Sequence, residues 1–242
     1  MTTFTFKIQR FNPDADKAPG FKTYKVKLPD GATVLDGLIK IKAEREGSLS
    51  FRRSCRSAIC GSCACRVNGK AMLICDLQAQ TAVAEGVITI EPLENFDIIR
   101  DLVVDLRPFW AAVEKALPWL MPGLGEQPQK EYNVIPNDDF IGLGKVDVCV
   151  LCAACHSDCP VIKERRDWPG PILNIKTARF ILDARDKDVS RATRAMASGL
   201  DKCLEAEQDR CPVKCPKGID MAKDSFKVVR DKLQGRPAGI KL

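Results

Sequence analysis

The sequence predicts an α+β chain in two parts, a small mixed sheet embracing one helix followed by a mostly helical half. Three observations lead there. Apolar and polar residues alternate through the first thirty positions; beyond about residue 98 the apolar spacing lengthens to a helical period; and the twelve cysteines fall into separate groups at 55–75, 149–159 and 203–215. Domains 1–98 and 99–242 follow from the change of period.

Phe4, Phe6 and Ile8 alternate with polar residues, as do Tyr24, Val26 and Leu28, which predicts a hairpin whose long loop holds Pro13, Pro19 and Gly20. Thr33 precedes Val34, Leu35, Leu38 and Ile39, with Asp36 at the third position, a capping-box helix start. Asn68-Gly69 between two short runs predicts a tight hairpin, and Val87, Ile88 and Ile90 form a last strand. Ile98, Leu102, Leu106 and Phe109 then predict a helix that ends or kinks at Pro118. Residues 118–136, with four prolines, Gly123 and Gly125, read as a crossover or linker. Pro171 opens a helix through Ile175, Ala178, Ile181 and Leu182. Ile219, Ala222, Phe226, Val229 and Leu233 form a stripe that reads as core ahead of partner surface.

With 45% apolar and 29% charged residues, the chain can form a core. It has no run of eighteen apolar residues, and MTTFTFKIQR carries no export signal, so a soluble chain in a reducing compartment is expected. There, cysteines serve as metal ligands more often than as disulfides. The net charge of +6 is too mild to point to nucleic acid. The one histidine, His156, argues against a His-rich metal site or a Ser-His-Asp triad.

FRRSCRSAICGSCACRVNGKAMLIC places Cys55, Cys60 and Cys63 as C-x4-C-x2-C, with eleven residues between Cys63 and Cys75. Four thiolates on a tight loop plus a distant arm suit a 2Fe–2S centre with two ligands per iron. Gly61 would let the backbone approach the bridging sulfides, with Arg56 and Arg66 near the anionic cluster. Zinc is the plainer reading, but the paired C-x2-C arrangement is missing. Cys65 falls outside the ligand spacing and reads as a small buried hydrophobe.

CVLCAACHSDCP is a C-x2-C-x2-C-x3-C-P run, and CLEAEQDRCPVKCP adds Cys203, Cys211 and Cys215. In two-cluster ferredoxins the fourth cysteine of each run serves the other cluster. Under that rule Cys149, Cys152, Cys155 and Cys215 hold a 4Fe–4S cluster. Cys159, Cys203 and Cys211 remain, three thiolates that suit a 3Fe–4S cluster.

On these motifs the chain resembles the iron–sulfur subunits of succinate dehydrogenase and fumarate reductase. The resemblance runs through SCRSAICGSC, IIRDLVVDLRPFW, the C-x2-C-x2-C-x3-CP run, ARFILDARD and CPKGID. It implies an N-terminal β-grasp domain like plant-type ferredoxins and an all-α domain like bacterial ferredoxins. It also implies electron transfer in a succinate:quinone oxidoreductase. Electrons would pass from an FAD-containing flavoprotein subunit through the 2Fe–2S, 4Fe–4S and 3Fe–4S clusters to quinone at membrane-anchor subunits, with haem b left open. Succinate chemistry would lie on the partner, leaving no catalytic residue here, and the chain would sit peripherally on the cytoplasmic face of a bacterial inner membrane. The alternative is the same role in a quinol:fumarate reductase or in a relative with a thiol or heterodisulfide partner.

Two departures stand out. Seven residues separate Cys203 from Cys211 where the family has five, and Leu204 stands where the family has a histidine. Of the family's quinone-pocket residues Pro160 matches, and Trp168 is a displaced candidate that reads equally well as a core or interface aromatic. Residues 214–242 hold eight Lys/Arg against three Asp/Glu, either a face for anionic lipid or an acidic subunit, or a solvated helix face.

Overall fold

The computed structural model describes residues 1–121, 137–203 and 211–237. The linker through 122–136 and the insertion at 204–210 lie outside the described residues. The chain divides into two compact units, Met1–Leu106 with Val150–Asp158, and Arg107–Cys149 with Cys159–Leu242. The 98/99 boundary expected from the period falls inside the first unit.

In that unit β1 (Thr2–Arg10) pairs antiparallel with β2 (Gly20–Leu28), and β3 (Ala64–Val67) with β4 (Lys70–Leu73). Strand β5 (Ile88–Glu91) lies parallel to β1 and antiparallel to β3, giving the order β2-β1-β5-β3-β4. Register follows the alternation: Phe6 pairs with Tyr24 on one side and Ile88 on the other, and Ile8 pairs with Ile90. Asn68 and Gly69 both have positive φ, at 49° and 80°, and turn β3 into β4 as their dipeptide predicts.

Helix Val34–Glu44 covers the sheet with Val34, Leu35, Leu38 and Ile41. Its capping box is present: Asp36 N donates to Thr33 Oγ1 at 3.2 Å and Thr33 N to Asp36 Oδ2 at 2.9 Å. Gly37 sets how closely helix and sheet approach, because a Cβ there would lie 2.2 Å from the tip of the Phe6 ring. That ring is fully buried and has no room to withdraw. Gly37→Ala gains about 1 kcal/mol of helix propensity against an overpacking cost of about 1–3 kcal/mol. The expected result is a lower denaturant midpoint at unchanged m; an unchanged midpoint would mean that the ring repacks freely.

Residues 98–106 differ from expectation. They form a ribbon, β6 (Ile98–Arg100) against β7 (Val103–Val104), and the helix begins only at Arg107, running to Lys115. The cause is Asp101, 1% exposed and in the left-handed region at φ 47°. Its carboxylate accepts hydrogen bonds from Arg10 Nε at 2.9 Å, Phe11 N at 3.0 Å and Ser50 N at 2.8 Å. These distant donors hold a turn where a helix would continue, and the β-branched Ile98, Ile99, Val103 and Val104 tolerate the extended backbone.

The second unit is built around helix Pro171–Ile181, which starts at the expected proline. Eight of its eleven residues are buried, too many for one stripe. Helices Arg107–Lys115, Asn137–Asp147, Arg191–Ala197 and Lys227–Leu233 pack around it. The C-terminal stripe is core for Ile219, Ala222, Phe226 and Val229, whereas Leu233 is 38% exposed. Of the basic tail, Lys227 and Arg236 both pair with Asp231, and Arg230 lies over the Phe226 ring.

ARFILDARD closes the central helix with buried ion pairs. Asp183 accepts from Arg179 Nη1 at 2.6 Å and from Arg185 Nε at 2.8 Å. Burial pushes its carboxyl up, but these guanidiniums outweigh burial and hold it at about 2. Among the described residues no helix is long and apolar enough to cross a membrane.

Candidate metal centres

The first cysteine loop is shaped by backbone chirality. Arg56, Ala58 and Gly61 all have positive φ, at 59°, 54° and 71°. Each non-glycine residue held there costs about 1–2 kcal/mol. In return, successive amides turn inward. Ser57 N and Cys60 N reach Cys55 Sγ at 3.4 and 3.3 Å, Cys55 N reaches Cys60 Sγ at 3.5 Å, and Ala58 N reaches Cys75 Sγ at 3.3 Å. Such a nest of N–H groups suits anionic sulfur.

The sulfurs approach in pairs. The Ser62 hydroxyl and the Cys55 and Ser62 amides bring the exposed Cys60 down to about 6, with Cys55 beside it. Burial pushes Cys63 up to about 12, with Cys75 as its neighbour. Two and two is the ligand division that two irons need. Among the described residues no three His, Cys, Asp or Glu side chains converge on a single ion. Cys65 is 2% exposed and pushed up to about 12, first by burial.

Gly61 has a further role. A Cβ there would come within 2.5 Å of the Val150 carbonyl oxygen and 3.0 Å of Cys152 Cα. The middle of the second cysteine run packs directly on this loop and belongs to the first unit. Leu151 and Ala153 repeat the positive φ, at 55° and 63°. Asp158 Oδ2 accepts from Ala71 N at 2.9 Å, and Asn95 Nδ2 donates to the His156 and Ser157 carbonyls at 3.0 and 2.9 Å. His156 stacks on Phe96 and is pushed down to about 4 by burial, so it packs as a neutral ring. Arg66, expected near the cluster, pairs with Glu94 at 2.7 Å.

Of the four cysteines expected on the 4Fe–4S cluster, Cys152 and Cys155 belong to the first unit and Cys149 and Cys215 to the second. Lys217 N lies 3.3 Å from Cys215 Sγ.

Within the second unit Cys159, Cys203 and Cys211 line one small pocket. Cys159 ends at the first turn of helix Pro160–Glu164, where the Ile162 and Val161 amides face its sulfur. Burial pushes it up to about 12, and Cys203 and Cys211 add to this. Pro160 and Trp168 line the same cavity, Trp168 only 2% exposed. Among the described residues its Nε1 has no hydrogen-bond partner, nor has Oδ1 of Asn174, which also lines this space. Asn174 escaped the sequence reading; its signal was a lone amide in the apolar run PILNI.

A 2Fe-2S iron-sulfur cluster binding domain matches residues 5–111, and a 4Fe-4S dicluster domain matches residues 145–219. The fumarate reductase iron-sulfur subunit of Mycobacterium tuberculosis is 36% identical over 229 residues, covering 92% of this chain and 90% of its own length. The chain belongs to the iron–sulfur subunits of succinate dehydrogenase and fumarate reductase. A mitochondrial succinate dehydrogenase iron-sulfur subunit of rice is 38% identical, covering 91% of this chain and 79% of its own. A chain of the Mycobacterium smegmatis Sdh1 complex in the apo form shares the fold, with TM-score 0.84 over 97% of both chains at 24% identity. As an iron–sulfur subunit the protein is the electron-transfer part of an oxidoreductase complex, with a 2Fe–2S domain followed by a 4Fe–4S domain. These relatives do not favour a thiol or heterodisulfide partner.

Proposed function

We propose that this subunit carries electrons between an FAD-containing flavoprotein subunit and quinone at membrane-anchor subunits. The proposed ligands are Cys55, Cys60, Cys63 and Cys75 for 2Fe–2S; Cys149, Cys152, Cys155 and Cys215 for 4Fe–4S; and Cys159, Cys203 and Cys211 for 3Fe–4S. When bound, the clusters supply one-electron carriers that divide a two-electron flavin reaction into single steps. The residues hold the thiolates, aim amides at sulfur and keep water from the buried positions. The observation that carries this reading is how the cysteines group, as two neighbouring pairs on the first loop and as three around one pocket.

On this reading the first unit is a β-grasp domain of the plant-type ferredoxin kind, and the second a helical domain of the bacterial ferredoxin kind. The chain lies peripherally on the cytoplasmic face of a bacterial inner membrane, with Pro160 and Trp168 on the side of the quinone. Haem b at the anchor is no part of the proposal.

Iron, acid-labile sulfide and low-temperature EPR on the anaerobically purified complex test it. About nine irons per chain are expected from the three clusters. A 3Fe–4S signal should be present when oxidised, and a 2Fe–2S signal should appear on reduction. About ten irons with no oxidised 3Fe–4S signal would overturn the three-ligand site.

A further inference from the structure

We infer that Trp168 and Asn174 are positioning residues of the proposed 3Fe–4S cluster, donating hydrogen bonds to its sulfurs and so setting its reduction potential. The inference rests on the reading of Cys159, Cys203 and Cys211 given above. Trp168 is 2% and Asn174 3% exposed, and both border the cavity that those three cysteines line. An indole N–H only donates, and leaving it buried without an acceptor costs about 1–3 kcal/mol. Of the other lining side chains, Pro171 offers no acceptor and Met221 a weak one, while Ser225 Oγ, which donates to the Met221 carbonyl at 2.5 Å, and Asn174 Oδ1 make no hydrogen bond with the indole. Cysteine thiolates and the sulfides they would hold are acceptors without protons, which is the complement the indole lacks.

Asn174 fits the same chemistry. It stands on the central helix between Leu173 and Ile175, both 1% exposed, where a leucine would pack without leaving a polar atom unpaired. A half-turn about its terminal torsion exchanges the unpaired Oδ1 for an amide nitrogen with two N–H donors. Donors aimed at cluster sulfur stabilise the more negative, reduced state, so they raise the potential.

Potentiometric EPR titration of the assembled complex tests this with Trp168→Phe and Asn174→Leu. Each variant should retain the oxidised 3Fe–4S signal with its midpoint moved to lower potential, while the 2Fe–2S midpoint stays in place. Wild-type complex labelled with 15N-tryptophan should show 15N modulation on that signal, lost in Trp168→Phe. Should Trp168→Phe fail to assemble, the labelled wild type and Asn174→Leu still decide. Full signals with unmoved midpoints and no 15N modulation would overturn the inference; if KM for quinone also rose, the indole would face quinone instead. An oxidised wild type without any 3Fe–4S signal would be a different failure, that of the three-cysteine site itself.

Discussion

Cys63→Ser is expected to strip the 2Fe–2S centre from the protein, and Cys65→Ser, two residues away, to leave it in place. Both residues are buried, 3% and 2% exposed, so exposure does not distinguish them. Their neighbours do. Cys63 faces Cys75, whose sulfur already receives the Ala58 amide at 3.3 Å. Cys65 lies in β3 opposite Met72, and its thiol is raised by burial and by Cys63 with no amide contribution. Losing one of two thiolates on an iron opens that iron to water, and serine oxygen is a poor replacement for a soft ligand. Cys63→Ser should therefore lower iron by about two per chain and remove the signal that appears on reduction. Cys65→Ser should keep both and cost about 1–3 kcal/mol for burying a hydroxyl. A full reduced signal in Cys63→Ser, or its loss in folded Cys65→Ser, would refute the assignment.

The largest stability effect is expected at Arg191, whose guanidinium is 1% exposed against an Asp186 carboxylate 2% exposed. It donates to Asp186 Oδ1 and Oδ2 at 2.8 and 2.6 Å and to the carbonyls of Ala116, Leu117 and Trp119 at 3.1, 2.9 and 2.6 Å. It also lies 4.3 Å from the centre of the Phe180 ring. Arg191→Met fills similar space but strands a buried carboxylate and three carbonyls. Removing one partner of such a pair costs about 3–5 kcal/mol, a fall in Tm on the order of 6–20 °C. Arg194→Met is the control, because Arg194 pairs with Asp188 while 37% exposed. An exposed pair contributes under about 1 kcal/mol. Thermal unfolding by circular dichroism compares the two; equal effects would mean that the Arg191 network is not what holds these helices.

The places where the sequence could be read, and those where it could not, follow from the range of the interactions. Thr33 and Asp36 cap a helix three residues apart, and Asn68-Gly69 turns a hairpin with its own φ angles. Pro171 starts a helix because its missing N–H needs no partner there. Spacing also brought out the three cysteine groups, since a cluster needs thiolates at fixed separations along a tight loop. By contrast, Ile98, Leu102 and Leu106 satisfy a helical period, yet residues 98–104 form a ribbon because Arg10, Phe11 and Ser50 bring their donors to Asp101. No local signal reports donors that lie 51 to 91 residues away.

The sequence by itself therefore determined the cysteine groups, the division into a sheet part and a helical part, and the family, since each depends on residue type and short-range spacing. Only the tertiary structure decided that Val150–Asp158 belongs with the first unit, because Gly61 leaves room for Val150 and Cys152 against the first loop. It alone also placed Trp168 and Asn174 beside Cys159, Cys203 and Cys211. Which buried polar group lacks a partner depends on every chain segment that reaches it, and that is known only once the chain is folded.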